Sequence, residues 1–348
     1  MKNKTKNNIS LLVFIFFLNS NFLKAEVTPS LQVRLESIQG AKPLAERVIA
    51  KPKLQASHGQ FTLRGEVFAE ADTANKIPYR DGKDARLQLQ ELYVEWTGGP
   101  LLVRVGQQAL RWSDSWSLPS LDYWTARKFD RLFLDPLEDQ LKHSTGTLLR
   151  YTSDSVDLDA FGVFRLAQND LPRGSLQTNE DWDAHGGLKA KLRLSGFDIS
   201  PTYAYISEKH HYGAGMSYAL EDLVPKLEWG SDESQNTFYT AGFDLFLGDF
   251  TFFPQFTLLR VSKNFYEKIL YLPVRFTKDK STLMLENYLT HKARAGYFSV
   301  SYSYDISEHY QLGAFFQNYD SGSPLNLIAQ YRQITEGWVT GLRLQSDL

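Results

Sequence analysis

The chain has 348 residues, a formal charge of −2 at pH 7, no cysteine and 14% aromatic residues, mostly Phe and Tyr. That charge balance argues against a nucleic-acid partner, which would need a clustered basic surface. The lack of cysteine excludes disulfides, thiol catalysis and Cys-ligated metal centres.

Lys2, Lys4 and Lys6 precede an apolar run over residues 11–18 and a polar stretch ending in Leu23-Lys24-Ala25. This order predicts a secretory signal peptide over 1–25, cleaved after Ala25. The apolar run is too short for a spanning helix, which needs about 20 residues. The segment carries four lysines and no acid, so its removal takes the formal charge from −2 to −6. Residues 26–58, with Pro43 and Pro52, read as a first strand, a plug or a periplasmic stretch.

From residue 59 onward, segments of about ten residues alternate apolar and polar positions and are separated by turn residues, as membrane strands do. Between Ala85 and Trp96 the phase switches: Leu87 and Leu89 are odd, whereas Leu92, Val94 and Trp96 are even. One extra residue near Gln90 or Glu91 restores the facing, which predicts a β-bulge. Further on, Leu188, Ala190, Leu192 and Leu194 share one face, against Lys189, Lys191 and Arg193 on the other. The same split recurs at 250–258, 325–332 and 338–344. Pro201, Pro225, Pro254 and Pro273 fall inside such segments and are expected at bulges or strand ends, because each removes a ladder donor. Short turns near 97–100, 153–155, 195–196, 247–249 and 305–307 alternate with longer connections near 70–84, 109–144, 167–183, 231–235, 261–266 and 319–323. The fold expected is an all-β transmembrane antiparallel barrel of about 16 strands, in a range of 14–18, over residues 59–348. With every short turn on the periplasmic side the last strand ends outside, so one element must be misplaced, either between Leu31 and Glu70 or as a short strand elsewhere.

The long connection 109–144 mixes both charge signs with tryptophan, and a connection of that length is more often functional than idle. Its pore candidates are Arg104 on the preceding strand and Arg111, Trp112, Asp114, Asp122, Arg127, Lys128, Asp130 and Arg131. Opposite charges facing one another across a pore create a transverse field that sorts solutes; the same residues could instead pair among themselves and hold the loop folded. The triplet Gly106-Gln107-Gln108, the pair Trp112-Ser113 and the acidic stretch ending in Asp135-Pro136 resemble a family of outer-membrane porin-like barrels related to alginate-export proteins. The likeness spans residues 91–135 and departs from the family pattern at Gln107 and Ser113. It implies a barrel whose loop folds inward, and no catalytic residues. Arginine suits bidentate binding of carboxylates, so an acidic sugar or carboxylate is a solute to consider.

A barrel hydrolase would need a nucleophile served by His. His143 adjoins Ser144, but neighbouring strand residues point to opposite faces. No Gly-x-Ser-x-Gly, His-Glu-x-x-His or phosphate loop occurs. The function expected is a porin-like channel of a Gram-negative outer membrane for passive diffusion of small polar or charged solutes, narrowed by the loop. It is not an enzyme and needs no cofactor or metal. The alternatives are a component of an export or assembly machine, and a barrel hydrolase. Partners are outer-membrane lipid and small polar solutes, with a homo-oligomer or export-system partner left open.

Overall fold

The computed structural model describes residues 25–348 apart from 41–42, 74–84, 114–120, 122–125, 128–140, 166–184, 207, 235, 262–264, 293 and 322–336. Every element among the described residues is a strand. The first five are β1 (Glu26–Gln39), β2 (Pro43–His58), β3 (Phe61–Asp72), β4 (Ala85–Gly98) and β5 (Leu101–Gln108). A two-residue ladder follows, formed by β6 (Ala126–Arg127) and β7 (Leu141–Lys142). The wall resumes with β8 (Ser144–Thr152), β9 (Val156–Arg165), β10 (His185–Leu194), β11 (Phe197–Ile206), β12 (Lys209–Tyr218), β13 (Leu223–Asp232) and β14 (Thr237–Leu247). Then come β15 (Phe250–Phe252), β16 (Gln255–Val261), β17 (Phe265–Lys278), β18 (Ser281–Thr290), β19 (Ala295–Asp305), β20 (Tyr310–Ser321) and β21 (Trp338–Asp347).

Apart from the β6–β7 ladder, each strand pairs antiparallel with its chain neighbour, and β1 pairs with both β2 and β21, which closes the sheet. Strands β15 and β16 share the neighbours β14 and β17 and form one wall strand interrupted at Phe253-Pro254. The described wall is therefore an eighteen-stranded barrel, not the sixteen expected. Two strands come from residues 26–58, where the prolines had obscured a hairpin. With both included, β1 begins and β21 ends at the short-turn end, which removes the conflict in the turn assignment. The alternating segment at 325–331 lies outside the described residues.

Closing the sheet removes the edges that would otherwise offer unpaired amides, a necessity where no water can satisfy them. The two faces differ as alternation requires. Leu188 is 58% exposed and Leu342 is 62% exposed on the outside. Ser200, Thr202, Gln255, Thr257, Ser299 and Gln317 are buried on the inside. An apolar belt of this extent would be unfavourable against water and is at home against hydrocarbon.

The bulge falls where the phase switch placed it. Glu66 pairs with Glu91 and Val67 with Leu89, so Gln90 is the extra residue. The prolines behave otherwise than expected, since only Pro254 ends a strand. Pro52, Pro201 and Pro225 lie inside continuous strands and keep a partner on one side, Leu31, Ala214 and Phe243 respectively. On the other side the ladder lapses or has not begun: β2–β3 passes from Ala50↔Ala69 to Lys53↔Glu66, and β10–β11 from Lys189↔Thr202 to Leu192↔Ile199. The β12–β13 ladder stops at Lys226. Each missing N–H thus coincides with a gap already in the pairing. Pro254 and Pro273 share one such gap, between Gln255↔Tyr271 and Phe252↔Val274.

Candidate pore and constriction

The inner face is polar and charged, and many of its described charges are paired across neighbouring strands. Arg104 lies opposite Glu95 in the β4–β5 register and donates to Glu95 Oε2 through Nε at 2.9 Å, with its guanidinium 4.3 Å above the Tyr93 ring. Arg150 binds Asp159 at 2.6 Å, Arg193 binds Asp157, Lys191 binds Asp198 at 2.8 Å and Lys226 binds Asp244 at 2.6 Å. These pairs join neighbouring strands from the inside. Where β1 meets β21, Glu36 takes Arg34 at 2.9 Å, Arg343 at 2.5 Å and Arg47, and its side chain has no exposed area. In a low-dielectric wall such charges are tolerable only when each is matched.

The long connection turns into the barrel directly after β5. Leu110 and Trp112 are buried, Trp112 to 1% exposure, in one cluster with Leu121 and with Leu148, Phe161, Val163, Ala204 and Ile206 from the inner faces of β8, β9 and β11. Two polar contacts fix its path. Lys189 Nζ on β10 donates to the Trp112 carbonyl oxygen at 2.6 Å, and Ser113 Oγ donates to Glu228 Oε2 on β13 at 2.6 Å. The chain therefore leaves β5 and reaches across to β13, with five wall strands between them. Leu121 seats over β12, where a Cβ on Gly213 would stand 2.4 Å from Leu121 Cδ2 and 2.8 Å from both Thr202 Oγ1 and the Trp229 carbonyl. Glycine at 213 is what leaves room for the loop.

The base of the loop is braced by the bulge. Gln107 Nε2 donates to the Leu89 and Gln90 carbonyls at 2.6 and 3.2 Å, and His143 Nδ1 lies 2.8 Å from the Gln90 carbonyl. Gly106 has φ +136°, and a Cβ there would meet the Leu92 carbonyl at 2.1 Å. The Gly106-Gln107-Gln108 triplet thus holds the strand end from which the connection departs.

Of the residues singled out in the sequence, Arg104 is on the wall, Arg111 is exposed and Trp112 is buried in the loop anchor. Arg127 is placed by its backbone in the ladder opposite Leu141. Asp114, Asp122, Lys128, Asp130 and Arg131 lie outside the described residues. Sequence reasoning missed Ser113, Leu121, Gly213 and Glu228; the one available signal was the run of small residues on the inner face of β12. His210 and His211 are adjacent residues of β12 and so point to opposite faces of the wall.

No protein-family model matches the chain, and no curated protein matches it. Solved structures do. Pseudomonas aeruginosa OpdK, crystallised with vanillate, superposes with a TM-score of 0.67 at 10% identity, covering 93% of this chain and 98% of that one. Acinetobacter baumannii OccAB2 gives 0.66 at 11% identity, over 93% and 98%. Pseudomonas aeruginosa OccK3 (OpdO) gives 0.64 at 12% identity, over 96% and 98%. The chain therefore shares, over nearly its whole length, the barrel fold of the Occ/Opd outer-membrane proteins.

Proposed function

We propose that the protein is a channel in the outer membrane of a Gram-negative bacterium, exported by the signal peptide over 1–25 and open to small polar or charged solutes by passive diffusion. The observation that carries this reading is the connection after β5, which crosses the lumen to β13 and is held there by Lys189 and Ser113. A closed wall with a polar interior supplies a water path, and an inward loop narrows it, so that size and charge are sorted at one level. Arg104, Arg111, Trp112, Asp114, Asp122, Arg127, Lys128, Asp130 and Arg131 are the residues we place around that level. The reading involves no catalytic step.

Small carboxylates are the solute class we favour. Arginine binds a carboxylate bidentately, and the similar barrel OpdK was crystallised with vanillate, an aromatic carboxylate. The likeness of residues 91–135 to alginate-export porins points toward acidic sugars within the same class. The short-turn end faces the periplasm and the long-connection end the exterior.

A planar-bilayer recording under a salt gradient tests the reading. Purified protein should give discrete conductance steps, and neutral replacements at Arg111, Arg127 and Arg131 should shift the reversal potential away from anion permeation. Absence of steps would remove the channel, and an unmoved reversal potential would remove these arginines from its filter.

A further inference from the structure

The outer wall carries a hollow of 410 Å³ across β8 to β11, lined by apolar residues that include Leu149, Ala160, Leu188 and Tyr203. Gly162 is one of its lining residues, and its direct register partner is a second glycine, Gly186, with Thr147 on one flank of the pair and Tyr205 on the other. Nothing in their surroundings calls for glycine. A Cβ on Gly162 would meet no atom within 4 Å, one on Gly186 would make only ordinary contact with the Phe161 carbonyl at 3.5 Å, and neither has a positive φ. Glycine inside a strand is less favourable than a residue with a side chain. What the pair provides is empty space facing the bilayer.

The edge of the hollow nearest the long-connection end is aromatic and polar. Tyr203 lines the hollow, and its hydroxyl lies 2.7 Å from His210 Nδ1. Tyr205 and Tyr212 pack around the same imidazole, with ring centroids 5.1 and 6.4 Å away. Amphipathic rings of this kind mark the level where hydrocarbon gives way to headgroups. The hollow thus begins where an acyl chain begins. Leu149, Leu188 and Phe164 project around it as a rim. A second barrel laid against this wall would rest on the rim and leave the space beneath unfilled, forfeiting its contacts. A thin flexible chain can enter. Around His210 the charges are mixed, with Lys209 beside Glu208 and with Glu233 Oε1 at 3.7 Å from Nε2, so no net charge selects a headgroup.

We propose that this hollow seats one lipid acyl chain, with its ester end beside Tyr203 and His210. Native mass spectrometry of the detergent-purified protein, titrated with dipalmitoyl phosphatidylglycerol, tests it against the Gly162→Leu/Gly186→Leu double variant. The unaltered chain should hold one lipid more tightly than the variant, by on the order of tenfold or more, since the leucines occupy the volume of several methylenes. The variant should keep the heat-sensitive gel mobility of a folded barrel. Should it not fold, the Gly162→Ala/Gly186→Ala pair, which adds only two methyl groups, should still weaken the lipid measurably. Equal retention of lipid by all folded forms would overturn the proposal. So would an oligomer in the unaltered protein that filling the hollow dissociates, because the occupant would then be a second copy of the chain.

Discussion

Three guanidinium groups converge on Glu36, from Arg34 on its own strand, Arg47 on β2 and Arg343 on β21. Truncating it leaves buried positive charges facing one another, so Glu36→Ala should lower unfolding stability by about 3–5 kcal/mol, read as a lower urea midpoint in detergent. Glu36→Gln, which keeps an acceptor oxygen, should lose less. The inward facing of Arg343 was legible from alternation with Leu342 and Leu344. Its partner was not, because Glu36 lies 307 positions away and no local pattern encodes which strand closes on which. The same holds for Ser113, whose bond to Glu228 spans 115 residues. Replacing Ser113 with Ala removes a hydrogen bond to a charged acceptor, at a cost of roughly 1.5–3 kcal/mol to the anchored loop, and should appear as noisier open-channel current.

At the level of strands and loops, the bulge at Gln90 was readable because period two tolerates no insertion without a change of face. Deleting Gln90 leaves Glu66 opposite Glu91 and Val67 opposite Leu89 in an uninterrupted ladder, with Leu87, Leu89 and Leu92 still outward and Glu91 still inward. The expected result is a barrel that keeps its heat-modifiable gel mobility, whereas inserting one alanine two residues further on, after Leu92, which turns one half of β4 to the wrong face, should abolish it. Prolines misled for a related reason. They report a missing donor, and a wall strand can absorb one wherever its ladder to one neighbour is already interrupted, as at Pro52 and Pro201. The length and tryptophan content of 109–144 announced a loop with a task, but its landing site rests on Gly213, a residue that looks like any other small strand residue. Leu121→Ala should empty that seat and raise single-channel conductance while leaving the barrel intact, whereas a side chain at 213 would also press on the Trp229 carbonyl of the wall. Unchanged conductance in the folded variant would show that Leu121 does not set the aperture.

The molecule as a whole is one ring of eighteen described wall strands, polar within and apolar without, with an internal arm from β5 to β13. Its class followed from the sequence because two solvents impose alternation on every strand. The strand number did not follow, because an error of one hairpin changes neither composition nor periodicity. The ring is completed only where β1 meets β21, through pairs such as Ile38↔Gly341 and the mutual hydrogen bonds of Leu31 and Leu348 at 2.7 and 2.8 Å. These partners are among the most distant in the polypeptide, so two raw borders persist through most of assembly, and topology of this kind is slow to mature. A polypeptide halted before its final strand would keep both borders exposed and stick to any extended segment nearby. Synthesis outpacing insertion should thus produce clumped material, not soluble intermediates, and the step that joins first strand to last is where biogenesis is most vulnerable.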